Sequence, residues 1–176
     1  MSYIKTILLF LTVFMAPVIS AEEHKNLAKE LQVFAPYIGT WQADFEVEKD
    51  KPAIQDVSKW ERALNGMAIR TSHSINEGVY GGESMIFWDS KEQSLVFYYF
   101  TTAGFYTKGT MSVLSQSKFV AYETVTGSKE GITKVKSTSE YKDNKFTVLT
   151  SYLKKGEWTK PEQRVYTRSD KKVKFK

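Results

Sequence analysis

The 176-residue chain has no cysteine, which excludes disulfides, zinc–thiolate sites and a cysteine nucleophile together. It has only two histidines, His24 and His73, too few for a clustered imidazole metal site. Gly-x-Ser-x-Gly elbows, His-Glu-x-x-His helices and phosphate-binding loops are all missing. Gly81-Gly82 is followed by no helix and so carries no phosphate logic. No segment reads as a crossover helix between parallel strands, and there is no internal repeat, linker or low-complexity stretch.

Long apolar runs are also scarce. The one candidate, Ile7 to Met15, is interrupted by Thr12 and falls short of the roughly 20 residues a membrane span needs. Lys5 precedes it and the small residues from Pro17 to Ala21 follow it. Residues 1–21 therefore read as a secretory signal peptide cut after Ser20 or Ala21, with no cysteine at the cut for a lipid. The expectation is an exported protein, periplasmic or secreted, with no stable membrane anchor after cleavage and no nucleic-acid partner. Without disulfides, its mature part must be held by one hydrophobic core, and it is long enough to bury one.

The net charge of +5 falls to +4 once Lys5 is removed. Much of the excess lies in the tail at residues 170–176, ending Lys171-Lys172-Val173-Lys174-Phe175-Lys176. The tail has too little amphipathic length to bind a membrane and reads as a solvated, frayed terminus. His24 and Glu22-Glu23 sit beside the signal cut, in a terminal segment.

What the chain does have is period-two alternation. Residues 22–38 form a lead-in with a short helix, since Leu27, Leu31 and Phe34 recur at helical spacing and Pro36 stops them. From Gly39 to residue 169 strands follow one another. Trp41, Ala43, Phe45 and Val47 alternate with Gln42, Asp44, Glu46 and Glu48, giving one dry face and one wet acidic face. Turn signals recur at short intervals: Lys49-Asp50-Lys51-Pro52, Asn65-Gly66, Glu77-Gly78, Asp89-Ser90-Lys91-Glu92 and Lys142-Asp143-Asn144 among them. Asn65-Gly66 is the strongest hairpin signal, because both residues tolerate the positive φ of a type I′ turn. About ten strands of ordinary length result. A long antiparallel meander hides its edges by closing. The predicted fold is all-β, a closed up-and-down barrel with a short N-terminal helix.

Aromatics make up 14% of the chain, enough to leave Met85–Trp88 and Leu95–Phe100 apolar on both faces. One face lines the interior. The other is covered by the N-terminal helix, by a second copy in a homodimer, or by another partner.

Leu31-x-x-Phe34-x-Pro36-x-x-Gly39-Thr40-Trp41 resembles the opening of lipocalin-like (calycin) barrels. The later residues Leu64-Asn65-Gly66, Tyr80-Gly81-Gly82-x-x-Met85-Ile86-x-Trp88-Asp89 and Phe105-x-x-x-Gly109 are similar to a group of bacterial lipocalin-like domains of unknown function. The resemblance covers most of residues 22–176 and rests on short motifs. It implies that Gly39 and Trp41 form a structural lock at the closed end, with a basic side chain near the chain's end packed across the indole. Arg164 and Arg168 both qualify; they share a parity with Tyr166, and both stay open. The lock is structural, worth about 0.5–2 kcal/mol as a cation–π contact. The haem-binding nitrobindins are more distant relatives with a Gly-x-Trp-x-Gly-x-Gly opening. Ala43 and Phe45 stand where their later glycines do, and no histidine follows position 73, so no haem or other cofactor is expected.

The leading functional expectation is binding of a small apolar or amphipathic ligand inside the barrel. Trp41, Phe45, Trp60, His73, Met85 and Phe87 are the candidate lining residues, with His73 as the polar handle. The alternatives are a filled barrel that docks a partner through apolar outer strands, and an enzyme using His73 as acid or base. The enzyme reading needs a second polar group converging on His73; Ser72 and Ser74 point away from it on a strand. No catalytic residue is assigned. Lys134, Lys136, Glu123 and Arg62 are placed on the exterior, since buried charges are costly unless paired.

Overall fold

The computed structural model describes residues 26–45 and 53–176. The expected signal peptide, His24 and the turn at residues 49–52 lie outside the described residues. Strands β1 (Gly39–Phe45), β2 (Ile54–Ala63), β3 (Ala68–Ile75), β4 (Tyr80–Asp89), β5 (Ser94–Thr101), β6 (Tyr106–Ser115), β7 (Lys118–Thr126), β8 (Ile132–Lys142) and β9 (Lys145–Lys154) pair antiparallel with their sequence neighbours. A two-residue β10 (Glu157–Trp158) extends the edge of β9, and β11 (Glu162–Arg168) inserts between β9 and β1. That last pairing closes a ten-strand barrel, the fold that the alternation and turn spacing predict.

The closing seam is short, with Trp41 opposite Arg168 and Gln42 opposite Thr167. Ser169 N–H extends it by donating to the Thr40 carbonyl at 3.0 Å. Here the structure decides between the two arginines. The Arg168 guanidinium carbon lies 3.7 Å from the centroid of the Trp41 ring. Its nitrogens donate to the carbonyls of Ile38 at 2.6 Å and Pro36 at 3.2 Å. Trp41 is fully buried and its indole N–H donates to the Tyr37 carbonyl at 2.6 Å. Gly39 is required at the crossing: its φ is +131°, and a Cβ there would collide with the Arg168 guanidinium. Arg164 packs instead over Phe45, 4.4 Å from the ring centroid.

The N-terminal helix is a 3-10 helix over Lys29–Tyr37, and Pro36 lies inside it rather than at its end. Leu31, Val33, Phe34 and Tyr37 are buried. The segment plugs one end of the barrel and does not cover the outer wall. The Phe34 and Tyr37 rings sit 5.1 and 5.3 Å from Phe119, and Tyr37 also meets Phe146 at 5.3 Å. The Tyr37 hydroxyl donates to the Ser117 carbonyl at 2.7 Å, which ties the plug to the β6–β7 turn.

Two expectations change outside the barrel interior. The Asn65-Gly66 connection is not a two-residue turn: Leu64, Asn65 and Gly66 all have positive φ (49°, 55°, 89°) and Met67 completes a four-residue link. The basic tail is docked rather than frayed. Lys174 N–H donates to Ser74 Oγ at 3.0 Å, Lys171 Nζ donates to Gln55 Oε1 at 2.7 Å, and Lys174 Nζ pairs with Glu77. The tail therefore runs across the outer wall of β2 and β3, where Ser74 is buried.

Candidate ligand-binding cavity

Inward-facing side chains of β2 to β9 and β11 line a cavity of about 360 Å³ above the plug. Its floor is apolar: Trp60, Ile86, Phe97, Met111, Phe119 and Phe146. Above the floor runs a polar belt of His73, Tyr80, Tyr99, Thr107, Glu123, Tyr152 and Arg164, and Ile75, Phe105, Val125 and Ile132 follow toward the other end of the strands. The volume falls within the 300–1,000 Å³ of small-molecule sites, toward the lower end.

Of the six residues expected to line this space, two do. Trp60 and His73 face the cavity. Trp41 lies below it in the lock, and Phe45 lies beneath Arg164 at the far end of β1. Met85 and Phe87 are on the wrong parity. Ile86 takes the interior position, opposite Ile69 on β3 and Phe97 on β5, and Trp88 packs against the same core. Strand β4 is apolar on both faces, so alternation cannot tell them apart; cross-strand register does.

The belt supplies the convergent polar groups that sequence could not find for His73. Asp56 Oδ1 lies 3.1 Å from His73 Nδ1, and His73 Nε2 lies 2.7 Å from the Tyr99 hydroxyl. Tyr99 and Tyr80 hydroxyls are 3.0 Å apart. On the other side of Asp56, the Tyr166 hydroxyl donates to Oδ2 at 2.8 Å. When Nδ1–H donates to Asp56, Nε2 accepts from Tyr99 and Tyr99 accepts from Tyr80, so every proton in the chain is directed toward a carboxylate that is 2% exposed. Such aligned chains strengthen each other in a low-dielectric interior. Both imidazole nitrogens are engaged. What a ligand meets here is the hydroxyl of Tyr80 or Tyr99, and His73 holds that hydroxyl in place.

Burial raises the phenols of Tyr80, Tyr99, Tyr152 and Tyr166, so all four remain hydrogen-bond donors at neutral pH. Burial alone would lower Arg164, but the adjoining Tyr166, Tyr152, Asp56 and Glu162 oxygens more than offset it and hold the guanidinium charged. Glu162 is 3.6 Å away.

Glu123 overturns its exterior placement. It is inside, on the parity of Phe119, Ala121 and Val125, with Thr107 Oγ1 donating to its Oε2 at 2.6 Å. Burial pushes its carboxyl up, against the smaller opposing effect of that hydrogen bond. The usable signal was an acid set within the inner row of β7. Lys134 and Lys136 do lie on the exterior. A bulge between Ile132 and Lys134 shifts the register of β8, which turns Val135, Ser137 and Ser139 inward. Asp56 was legible by its shared parity with Trp60. Among the described residues no three metal-donor side chains converge.

No protein-family model matches the chain, and no curated protein matches it.

Proposed function

We propose that this is an exported lipocalin-like binding protein that holds a small amphipathic ligand inside the barrel. The observation that carries the reading is the cavity of about 360 Å³ with an aromatic floor and a belt of fixed polar groups. A filled barrel would leave no such space. The apolar body of a ligand would lie against Trp60, Phe97, Phe119 and Phe146, and its polar end would meet the belt. The Gly39-Thr40-Trp41 opening and the Trp41–Arg168 lock support the family resemblance. The leader-like residues 1–21 support export, which intact-mass analysis of protein recovered from its own cell envelope would test.

The binding test uses a neutral amphipathic probe, 2-naphthylmethanol, followed by amide-shift NMR. Saturable shifts are expected on the inner-facing residues of β2, β3, β5 and β7. Ala121→Phe, which fills the floor from β7, should abolish them while leaving the circular dichroism unchanged. Shifts confined to the outer wall, or unaffected by Ala121→Phe, would overturn the reading.

The docking alternative has one observation in its favour. Tyr98, Phe100 and Tyr106 stack in a row on the outer wall, with Phe100 58% exposed. If the barrel binds nothing, a second copy or another partner seated on that row is the remaining reading. Sedimentation of wild type against Phe100→Ser tests the homodimer form of it, and an unchanged monomer would remove that form.

A further inference from the structure

Glu123 is not explained by the fold. One of its oxygens accepts from Thr107, no other hydrogen bond reaches the carboxyl among the described residues, and the side chain lines the cavity. The residues directly across from it are Gly109 on β6 and Val135 on β8, which bring no charge. The lysines of those flanking strands, Lys108 on β6 and Lys134, Lys136 and Lys142 on β8, are exposed on the outer wall. Arg164 is the one guanidinium on the cavity lining, and it is engaged by Glu162 and by the Phe45 ring. Burial raises the Glu123 carboxyl, and the Thr107 hydrogen bond opposes it.

Around this acid stand aromatic rings. Tyr80, Tyr99 and Tyr152 are near enough for the charge of Glu123 to raise their phenols further. Phe97 and Phe105 line the same space. A carboxyl buried without a cation is costly to ionise, and a ligand cation in an aromatic-lined cavity gains wherever it meets a ring face, which an anion does not. His73 lies further round the belt and is already paired with Asp56.

We infer that the cavity is built for a small amine, whose ammonium group donates to Glu123 among the tyrosine rings and whose apolar body rests on the aromatic floor. This rests on the ligand-binding reading above and adds the chemical class of the ligand. The proton balance is simple. Burial raises the Glu123 carboxyl, so the fraction of the free protein that carries it as the acid grows as pH falls; in that fraction, ammonium binding ionises the carboxyl, an ion pair forms and one proton leaves to solvent. Carboxylate ligands are disfavoured by the same geometry.

The test uses three probes that share one ring system: 2-naphthylmethylamine, 2-naphthylmethanol and 2-naphthoate. Calorimetry at neutral pH should rank the ammonium at least tenfold tighter than the alcohol, with the carboxylate weakest. Glu123→Gln should remove the advantage of the ammonium over the alcohol. On wild-type protein, titration in two buffers of different ionisation enthalpy should register proton release for the amine, growing as pH is lowered from 8 to 5, and none for the alcohol. That measurement holds even if the variant folds poorly. Alcohol bound as tightly as amine would overturn the amine assignment and keep the binding reading. Preference for the naphthoate would overturn it in favour of Arg164. Binding of none of the three would overturn both.

Discussion

Removing the Arg168 side chain should weaken the barrel where its seam is thinnest. The guanidinium covers the Trp41 face at 3.7 Å and donates to the Ile38 and Pro36 carbonyls. The stacked cation is worth about 0.5–2 kcal/mol. Two hydrogen bonds from a side chain that reaches solvent add about 1 kcal/mol each. Arg168→Ala should therefore cost about 2.5–4 kcal/mol, lowering the melting temperature by roughly 5–15 °C for a chain of this size. Arg168→Lys should recover only part of this, because an ammonium cannot stack flat and bond two carbonyls together. Urea unfolding followed by tryptophan emission measures the loss, and a double-mutant cycle with Trp41→Phe isolates the stacking. The cycle should give a coupling of about 0.5–1 kcal/mol, since an indole face attracts a cation more strongly than a phenyl face. The lost Trp41–Tyr37 hydrogen bond appears on both sides of the cycle and cancels. The same cycle with Arg164→Ala should give a value near zero. A cost below about 0.5 kcal/mol for Arg168→Ala, or equal couplings for the two arginines, would refute the lock.

Other outcomes follow from the interior parity and from the tail. Ile86→Ala should cost about 2–4 kcal/mol and Met85→Ala under about 1.5 kcal/mol; equal costs in urea unfolding would mean that β4 faces the other way. The folded-state pKa of Glu123 is raised above the ordinary 4.5, so its contribution is fully present below that value and is lost as pH rises through the folded pKa. Glu123→Gln should therefore gain on wild type in urea midpoint between pH 4 and pH 8, and a difference that does not move with pH would show the carboxyl to be solvated. Lys174 N–H, held by Ser74 Oγ, should exchange with deuterium more slowly than Lys172 N–H and should speed up in Ser74→Ala; identical rates would free the tail from the wall.

The strands whose two faces differ were legible one at a time. Along β3, Ile69, Thr71, His73 and Ile75 have the alternation that puts His73 inside, because side-chain direction on a strand has period two and needs no knowledge of neighbours. On β4 the same rule has nothing to grip, since Met85, Ile86, Phe87 and Trp88 are all apolar, and only the pairing of Ile86 between Ile69 and Phe97 settles the face. On β8 a bulge reverses parity partway along, an event with no period of its own. Glu123 was hidden for an energetic reason. Burying a charge is costly, which argues for the exterior; the burial that raises this carboxyl and the Thr107 hydroxyl that holds it come from the fold, not from the local sequence.

By itself, then, the sequence determined an all-β chain of antiparallel hairpins and the inward turn of His73, which follow from local alternation and turn chemistry. The lock of Trp41 under a basic side chain was implied by the resemblance to lipocalin-like barrels, not by the alternation. Tertiary structure alone decided that Arg168 rather than Arg164 covers Trp41, because the register of β11 against β1 is set only when the barrel closes. It also decided which groups meet. Asp56, His73, Tyr99 and Tyr80 come from four strands, and Glu123 faces its empty space only once ten strands have curved around it.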